Sequence, residues 1–116
     1  MSYDNENVFA KILRKEAPCT KVYEDDFILA FNSIEPEAPI HFLVIPKGPY
    51  SNYVDFIKMA DDSEIVGFYK GIHQAVLAAG ITTGFRLLSN SGHDAGQTVR
   101  HYHVHILAGK ELPKQG

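Results

Sequence analysis

His101, His103 and His105 stand at alternate positions in the run His101-Tyr102-His103-Val104-His105-Ile106-Leu107. Successive side chains of a β-strand point to opposite faces, so this spacing predicts one face with three imidazoles and one with Tyr102, Val104 and Ile106. The apolar set suits a core, whereas packing gives no reason for three histidines on the other face. Imidazole can serve as nucleophile, general acid or base, phosphate-contacting donor or metal ligand. Distance weighs against chelation by all three. At about 3.4 Å per residue, His101 and His105 lie about 13 Å apart, while Zn–N bonds of about 2.0 Å hold co-ligands within about 3.5 Å of each other. A two-histidine metal site ranks second, because Asp94 and Glu111, the nearest carboxylates, fall outside the strand. Two lone histidines, His73 on a helical segment and His93 in a polar loop, are expected to be partly buried and hydrogen-bonded.

The histidine strand is fed by residues 90–98, Asn-Ser-Gly-His-Asp-Ala-Gly-Gln-Thr. Gly92 and Gly96 allow backbone N–H groups to approach an anion, and Asn90, Gln97 and Thr98 add side-chain donors. The loop lacks the Gly-Lys-Ser/Thr ending of a Walker loop and leads to a strand rather than a helix. His41, at the start of another apolar strand, supplies a fourth imidazole. Imidazoles and neutral donors without a carboxylate pair suit covalent phosphoryl or nucleotidyl transfer by a histidine nucleophile. An unperturbed pKa of about 6.5 leaves much of such a group neutral at physiological pH.

The elements that must position these groups are readable from local pattern. Asn5 or Asn7 caps a short helix carrying Phe9, Ile12 and Leu13, with Pro18 marking its end. Segments 21–24 and 27–31, split by Asp25-Asp26, read as a hairpin. The proline-rich stretch 34–40 forbids a helix and makes a stiff connector. Residues 41–45 form a buried strand stopped by Pro46, Gly48 and Pro49. Asp61 or Asp62 caps the longest helix, which runs through Ala79 to Gly80 with Ile65, Phe68, Tyr69, Ile72 and Val76 as its core face. Residues 85–89 form a further strand. Strands in pairs on either side of one long helix favour an α+β domain with a mainly antiparallel sheet.

Composition narrows the function classes. The 116 residues carry 45% hydrophobic and 22% charged residues, the balance of an ordinary globular domain. That length suits one domain, 1–116, with its motif-bearing core at about 7–109 and polar tails. A net charge of −3 with scattered basic residues argues against a nucleic-acid binder. Cys19 is the only cysteine, so neither an intrachain disulfide nor a cysteine-based zinc site is expected, and a cytoplasmic setting fits best. No signal peptide, membrane span or membrane partner is expected.

The run from His101 to Leu107 resembles the His-φ-His-φ-His-φ-φ signature of the histidine triad superfamily, loosely at Tyr102. The likeness extends through Phe9-Ala-Lys-Ile12, Val22-Tyr-Glu-Asp-Asp26, the stretch from Pro36 to Lys47, and Ala95-Gly-Gln-Thr-Val99, in the order and spacing of the Hint-like branch. It covers the chain from about Asn7 to Gly109. The resemblance implies a five-stranded antiparallel sheet with one long helix and one short N-terminal helix, paired with a second subunit into a ten-stranded homodimer. It implies hydrolase or transferase chemistry on purine nucleoside phosphoramidates and related AMP esters or anhydrides, so the partner would be a nucleotide of the AMP or GMP type. His103 matches the nucleophile that forms a nucleotidyl-histidine, and His105 matches the contact to the phosphate oxygens. His101 matches the member that positions the nucleophile through its main-chain carbonyl, and His41 matches the additional active-site histidine. Asn90, Gly96, Gln97 and Thr98 fall on the phosphate and leaving-group loop. Phe9, Ile12, Phe31 and Ile34 fall on the purine pocket.

Three features depart from the family pattern. Ser33 stands where aspartate usually bonds the ribose hydroxyls, so it makes such a bond without charge assistance. Asn7 and Ala10 stand where many bacterial relatives carry a zinc-binding Cys-x-x-Cys, so no structural zinc is expected; no other cofactor is expected either. The tail from Lys110 onward lacks the tryptophan of animal Hint proteins, so leaving-group preference does not carry over. Three competing readings are a nucleotide-binding adaptor with weak hydrolysis, a dinucleoside polyphosphate hydrolase of the same superfamily, and a metal-binding protein using His103 with His101 or His105.

Overall fold

A computed structural model describes residues 3–116. The first helix, α1 (Val8–Leu13), starts at Asn7, whose side-chain oxygen accepts the Ala10 N–H at 2.9 Å and satisfies one of the donors a helix start leaves open. Phe9, Ala10 and Ile12 turn its buried side inward. Strands β1 (Lys21–Glu24) and β2 (Ile28–Asn32) form the expected antiparallel hairpin. One Asp25 carboxylate oxygen closes its turn by accepting the N–H groups of Phe27 and Ile28 at 2.8 and 2.9 Å. After the proline-rich connector, β3 (Ile40–Pro46) pairs antiparallel with β2.

A short helix, α2 (Tyr53–Met59), follows, where no element was expected. Asn52 caps it by accepting the Asp55 N–H at 2.9 Å, and Phe56 is its buried anchor. Asp61 caps α3 (Asp62–Ala78) in the same way through the Glu64 N–H. Phe68, Ile72 and Val76 are buried as the periodicity predicts, with Ala75 and Gly71 beside them. Tyr69 departs from the expected core face: it is partly exposed, and its hydroxyl lies 2.9 Å from that of Tyr102. A Cβ at Gly71 would come within 2.9 Å of Ile28, so glycine there lets α3 settle onto β2.

The remaining strands are β4 (Arg86–Leu88) and β5 (Val104–Ala108). Five antiparallel strands in the order β1-β2-β3-β5-β4 make the sheet. Alternation gives it two faces. Ile28, Ala30, Phe42, Val44, Val104 and Ile106 join Tyr102, Phe56 and Phe68 in the main core under α2 and α3. Leu29, Phe31, Leu43 and Ile45 pack with Phe9 and Ile12 of α1 on the other face. The histidines belong to this second, lightly covered face. No helix among the described residues is long and apolar enough to cross a membrane.

Candidate active site

The alternation of imidazole and core side chains holds across residues 101–106, with Tyr102, Val104 and Ile106 buried in the main core. The strand itself does not reach back to His101, because β5 begins only at Val104. Residues 101–103 are instead fixed by individually made hydrogen bonds. Tyr102 N–H donates to the Tyr50 carbonyl at 2.7 Å, and the Ser89 hydroxyl donates to the His103 carbonyl at 2.8 Å. The His101 ring, wholly buried at 0% exposure, donates from Nε2 to the Pro46 carbonyl at 2.9 Å. Its Nδ1 accepts from the Tyr3 hydroxyl.

These partners fix proton positions, because a carbonyl can only accept and a backbone N–H can only donate. His103 Nδ1–H donates to the His101 carbonyl at 2.7 Å. In the neutral ring, Nε2 of His103 therefore carries a lone pair. His41 lies on β3 opposite Leu107, and His105 lies on β5 opposite Leu43, so the two are diagonal neighbours on one sheet face. The Glu37 N–H donates to His41 Nδ1 at 3.1 Å, which leaves the His41 proton on Nε2. That proton is donated to His105 Nδ1 at 2.9 Å, so His105 carries its own proton on Nε2. The result is a directional chain from the Glu37 backbone through His41 to His105. Together with the His103–His101 bond it leaves a bare nitrogen on His103 beside an N–H donor on His105, the two rings being edge to face at 5.1 Å.

Burial favours the uncharged form of all four rings. Desolvation holds His101 at about 4, against the ordinary 6.5, despite the opposing Pro46 carbonyl. Desolvation, reinforced by His103 and His41, holds His105 at about 4. Burial also lowers His103 and His41. The consequence for stability has a definite sign. Between pH 6.5 and 4 the unfolded chain binds the His101 proton and the folded one does not, so the His101 contribution to stability falls as pH falls through that window and levels off below it. His101 alone accounts for about 3 kcal/mol, and the other three rings act in the same sense. Urea unfolding at pH 7.5 and at pH 4 is expected to differ by at least that amount; equal stability at the two values would contradict the neutral-ring assignment.

Phe9 walls this group, its ring edge to face with His103 at 5.0 Å and with Phe31 at 5.4 Å. Phe9, Ile12 and Phe31 thus come together as one apolar surface beside the histidines. Ile34 does not join them: it is 96% exposed, on the connector between β2 and β3. Ser33 is half-buried, and its hydroxyl oxygen accepts the Glu35 N–H at 3.2 Å.

The loop after β4 is arranged differently from the open anion cradle expected of it. Gly92 and Gly96 do adopt positive φ, at 84° and 78°. Yet Gly92 N–H donates to the Gln97 side chain at 2.9 Å and Gly96 N–H to the His93 carbonyl at 3.0 Å. Gln97 returns its amide N–H groups to the Ser51 and Val99 carbonyls, at 2.7 and 3.0 Å, and so binds the loop to the segment before α2. Thr98 is exposed and Asn90 half-buried. His73 and His93, expected to be partly buried, are both exposed; His93 has only the neighbouring Asp94 carboxylate, at 3.4 Å. Among the described residues, no group of three or more His, Cys, Asp or Glu is disposed to hold a metal ion.

Three contributors escaped the sequence reading. Ser89 ends a segment expected to be strand and carried no distinguishing signal. The Glu37 N–H and Tyr3 reach the histidines only through the fold.

Residues 14–112 match the HIT domain family. A 13.2 kDa HIT-like protein of Azospirillum brasilense is 48% identical over 112 residues, which cover 96% of this chain and 92% of the relative. A histidine triad protein from Clostridium difficile has a similar solved structure, with a TM-score of 0.84 at 42% identity over the whole of both chains. A HIT family hydrolase from Clostridium thermocellum gives a TM-score of 0.83 at 35% identity over 97% of each chain.

Proposed function

The chain belongs to the HIT domain family, and from that membership and the proton positions of its site histidines we propose that it cleaves purine nucleoside phosphoramidates, or related AMP esters and anhydrides, through a nucleotidyl-histidine. The observation that carries the reading is the His103 Nδ1–H donated to the His101 carbonyl, which leaves Nε2 as a nucleophile with its lone pair free of a proton. In the first step Nε2 bonds to the α-phosphorus, the P–N bond breaks, and the amine leaves with a proton. In the second, water attacks the same phosphorus, the P–Nε2 bond breaks, and AMP and a proton are released.

The other site residues have complementary roles in this scheme. His105 Nε2–H donates to a phosphate oxygen as charge gathers on it, held in that tautomer by His41. Thr98 assists the departing amine through its hydroxyl. Phe9, Ile12 and Phe31 supply an apolar wall for the purine, Ser33 contacts the ribose, and Asn90, Gly96 and Gln97 shape the phosphate side. The reaction is tested by AMP release from adenosine 5′-phosphoramidate with EDTA present. Sustained turnover is expected; bound AMP derivative without release would point to the adaptor reading instead.

The proposal extends to a homodimer. Tyr53, Val54, Ile57 and Met59 of α2 and Leu87 of the edge strand β4 are large apolar side chains left exposed on one chain. Sedimentation equilibrium is expected to give twice the 12.9 kDa chain mass, and Leu87→Glu to shift the protein toward one chain mass with activity reduced at least about threefold. A parent protein that is monomeric and fully active would overturn this part.

A further inference from the structure

Residues 101–103 have no strand ladder to hold them, yet the proposed nucleophile depends on where the His101 carbonyl stands. That carbonyl belongs to a residue whose ring is wholly buried and bonded at both nitrogens. One bond goes to the Pro46 carbonyl of β3, a fixed part of the sheet. The other comes from Tyr3, ahead of α1 and 98 positions away along the chain. The two rings also meet edge to face, with centroids 5.7 Å apart, and the Phe9 ring of α1 lies edge to face with the same imidazole at a centroid separation of 6.4 Å.

We infer that Tyr3 is a positioning residue for the His103 nucleophile, acting by donating its hydroxyl proton to His101 Nδ1. With Nε2–H given to Pro46, the only polar need left on the buried ring is an acceptor nitrogen, and the Tyr3 hydroxyl supplies its donor. Both ends of the imidazole are then tied, one to the sheet and one to the N-terminal segment. The ring cannot rotate without breaking a bond at each end, so the backbone of residue 101 and its carbonyl stay fixed. His103 Nδ1–H follows that carbonyl at 2.7 Å, and the bare Nε2 is thereby aimed. Loss of the hydroxyl leaves a buried nitrogen without a donor, which the ring relieves by turning or by taking up water. Either movement loosens the His101 carbonyl and lets His103 exchange its proton between the two nitrogens.

The inference rests on the proposed function for its effect on rate, but not for its effect on the histidines. Tyr3→Phe keeps the ring and removes only the hydroxyl. Imidazole ¹⁵N spectra at pH 7.5 are expected to show His101 Nδ1 moving toward the position of an unbonded nitrogen, and His103 passing from one tautomer to a mixture. The kcat for adenosine 5′-phosphoramidate is expected to fall about tenfold with KM within twofold. Tyr3→Trp, which restores a donor at a different reach, should not recover it. Unchanged ¹⁵N positions overturn the inference whatever the rate does, and so does an altered His101 signal with His103 and kcat unchanged. Should the parent protein release no AMP, the proposed function falls, while the Tyr3 linkage is still decided by the two imidazole spectra.

Discussion

His103→Ala is expected to abolish AMP release from adenosine 5′-phosphoramidate, lowering kcat at least about a thousandfold, as removal of an enzyme nucleophile does. The size of the effect follows from the geometry. Phe9, His101 and His105 surround His103 and would remain, but His101 spends both its ring nitrogens on Pro46 and Tyr3. His105 presents a proton rather than a lone pair, because His41 occupies its other nitrogen. No neighbouring ring is therefore in a state to replace the lost nucleophile. Binding of AMP, measured by calorimetry, should change less than about fivefold, since the apolar wall of Phe9, Ile12 and Phe31 packs on β2 and β3 rather than on His103 alone. Chromatographic assay of AMP decides the matter; a variant retaining more than a tenth of the parent rate would place the chemistry elsewhere.

Phe42→Ala is expected to cost about 3–5 kcal/mol of folding stability, a large part of the 5–15 kcal/mol typical of a domain. Phe42 is 0% exposed at the middle of β3, the strand paired on both sides, and it belongs to the core beneath α2 and α3. Truncation removes its buried ring and leaves a cavity among Val44, Ile106 and their neighbours, which a sheet tied to two partner strands cannot collapse to fill. The thermal midpoint should drop by about 12–20 °C at this chain length. Urea titration and differential scanning calorimetry measure both quantities, and a loss under about 1 kcal/mol would contradict the packing described. His41 and Leu43, its neighbours in sequence, face the other side of the sheet, so the folded fraction of this variant is expected to retain its catalytic rate at 25 °C.

Much of the frame was legible because it depends on local periodicity. The alternation from His101 to Ile106 separates the histidine face from the core face, and Asn7 and Asp61 mark helix starts through bonds made within one turn. The α2 helix was missed although Asn52 offers the same cap; it is only seven residues long, follows Pro46, Gly48 and Pro49, and exposes most of its apolar side chains. Alternation alone starts β5 at His101, too early, because residues 101–103 take their partners from Tyr50, Pro46 and Ser89, all distant in sequence. Proton positions were out of reach for the same reason, since they follow from which group faces each ring nitrogen. Gln97 and Gly96 looked like open donors from their types. Only the folded loop shows that their hydrogen bonds are turned inward. The resemblance alone puts Ile34 in the apolar pocket, whereas the folded connector leaves it in solvent.

The stereochemical course at phosphorus tests the covalent intermediate most directly. An adenosine phosphoramidate made chiral at the α-phosphorus with sulfur is hydrolysed in ¹⁸O water, and the configuration of the product is read by ³¹P spectroscopy. Attack by His103 Nε2 followed by attack of water inverts the centre twice, so net retention is expected. Net inversion would mean that water attacks directly, and it would contradict a nucleotidyl-histidine on His103.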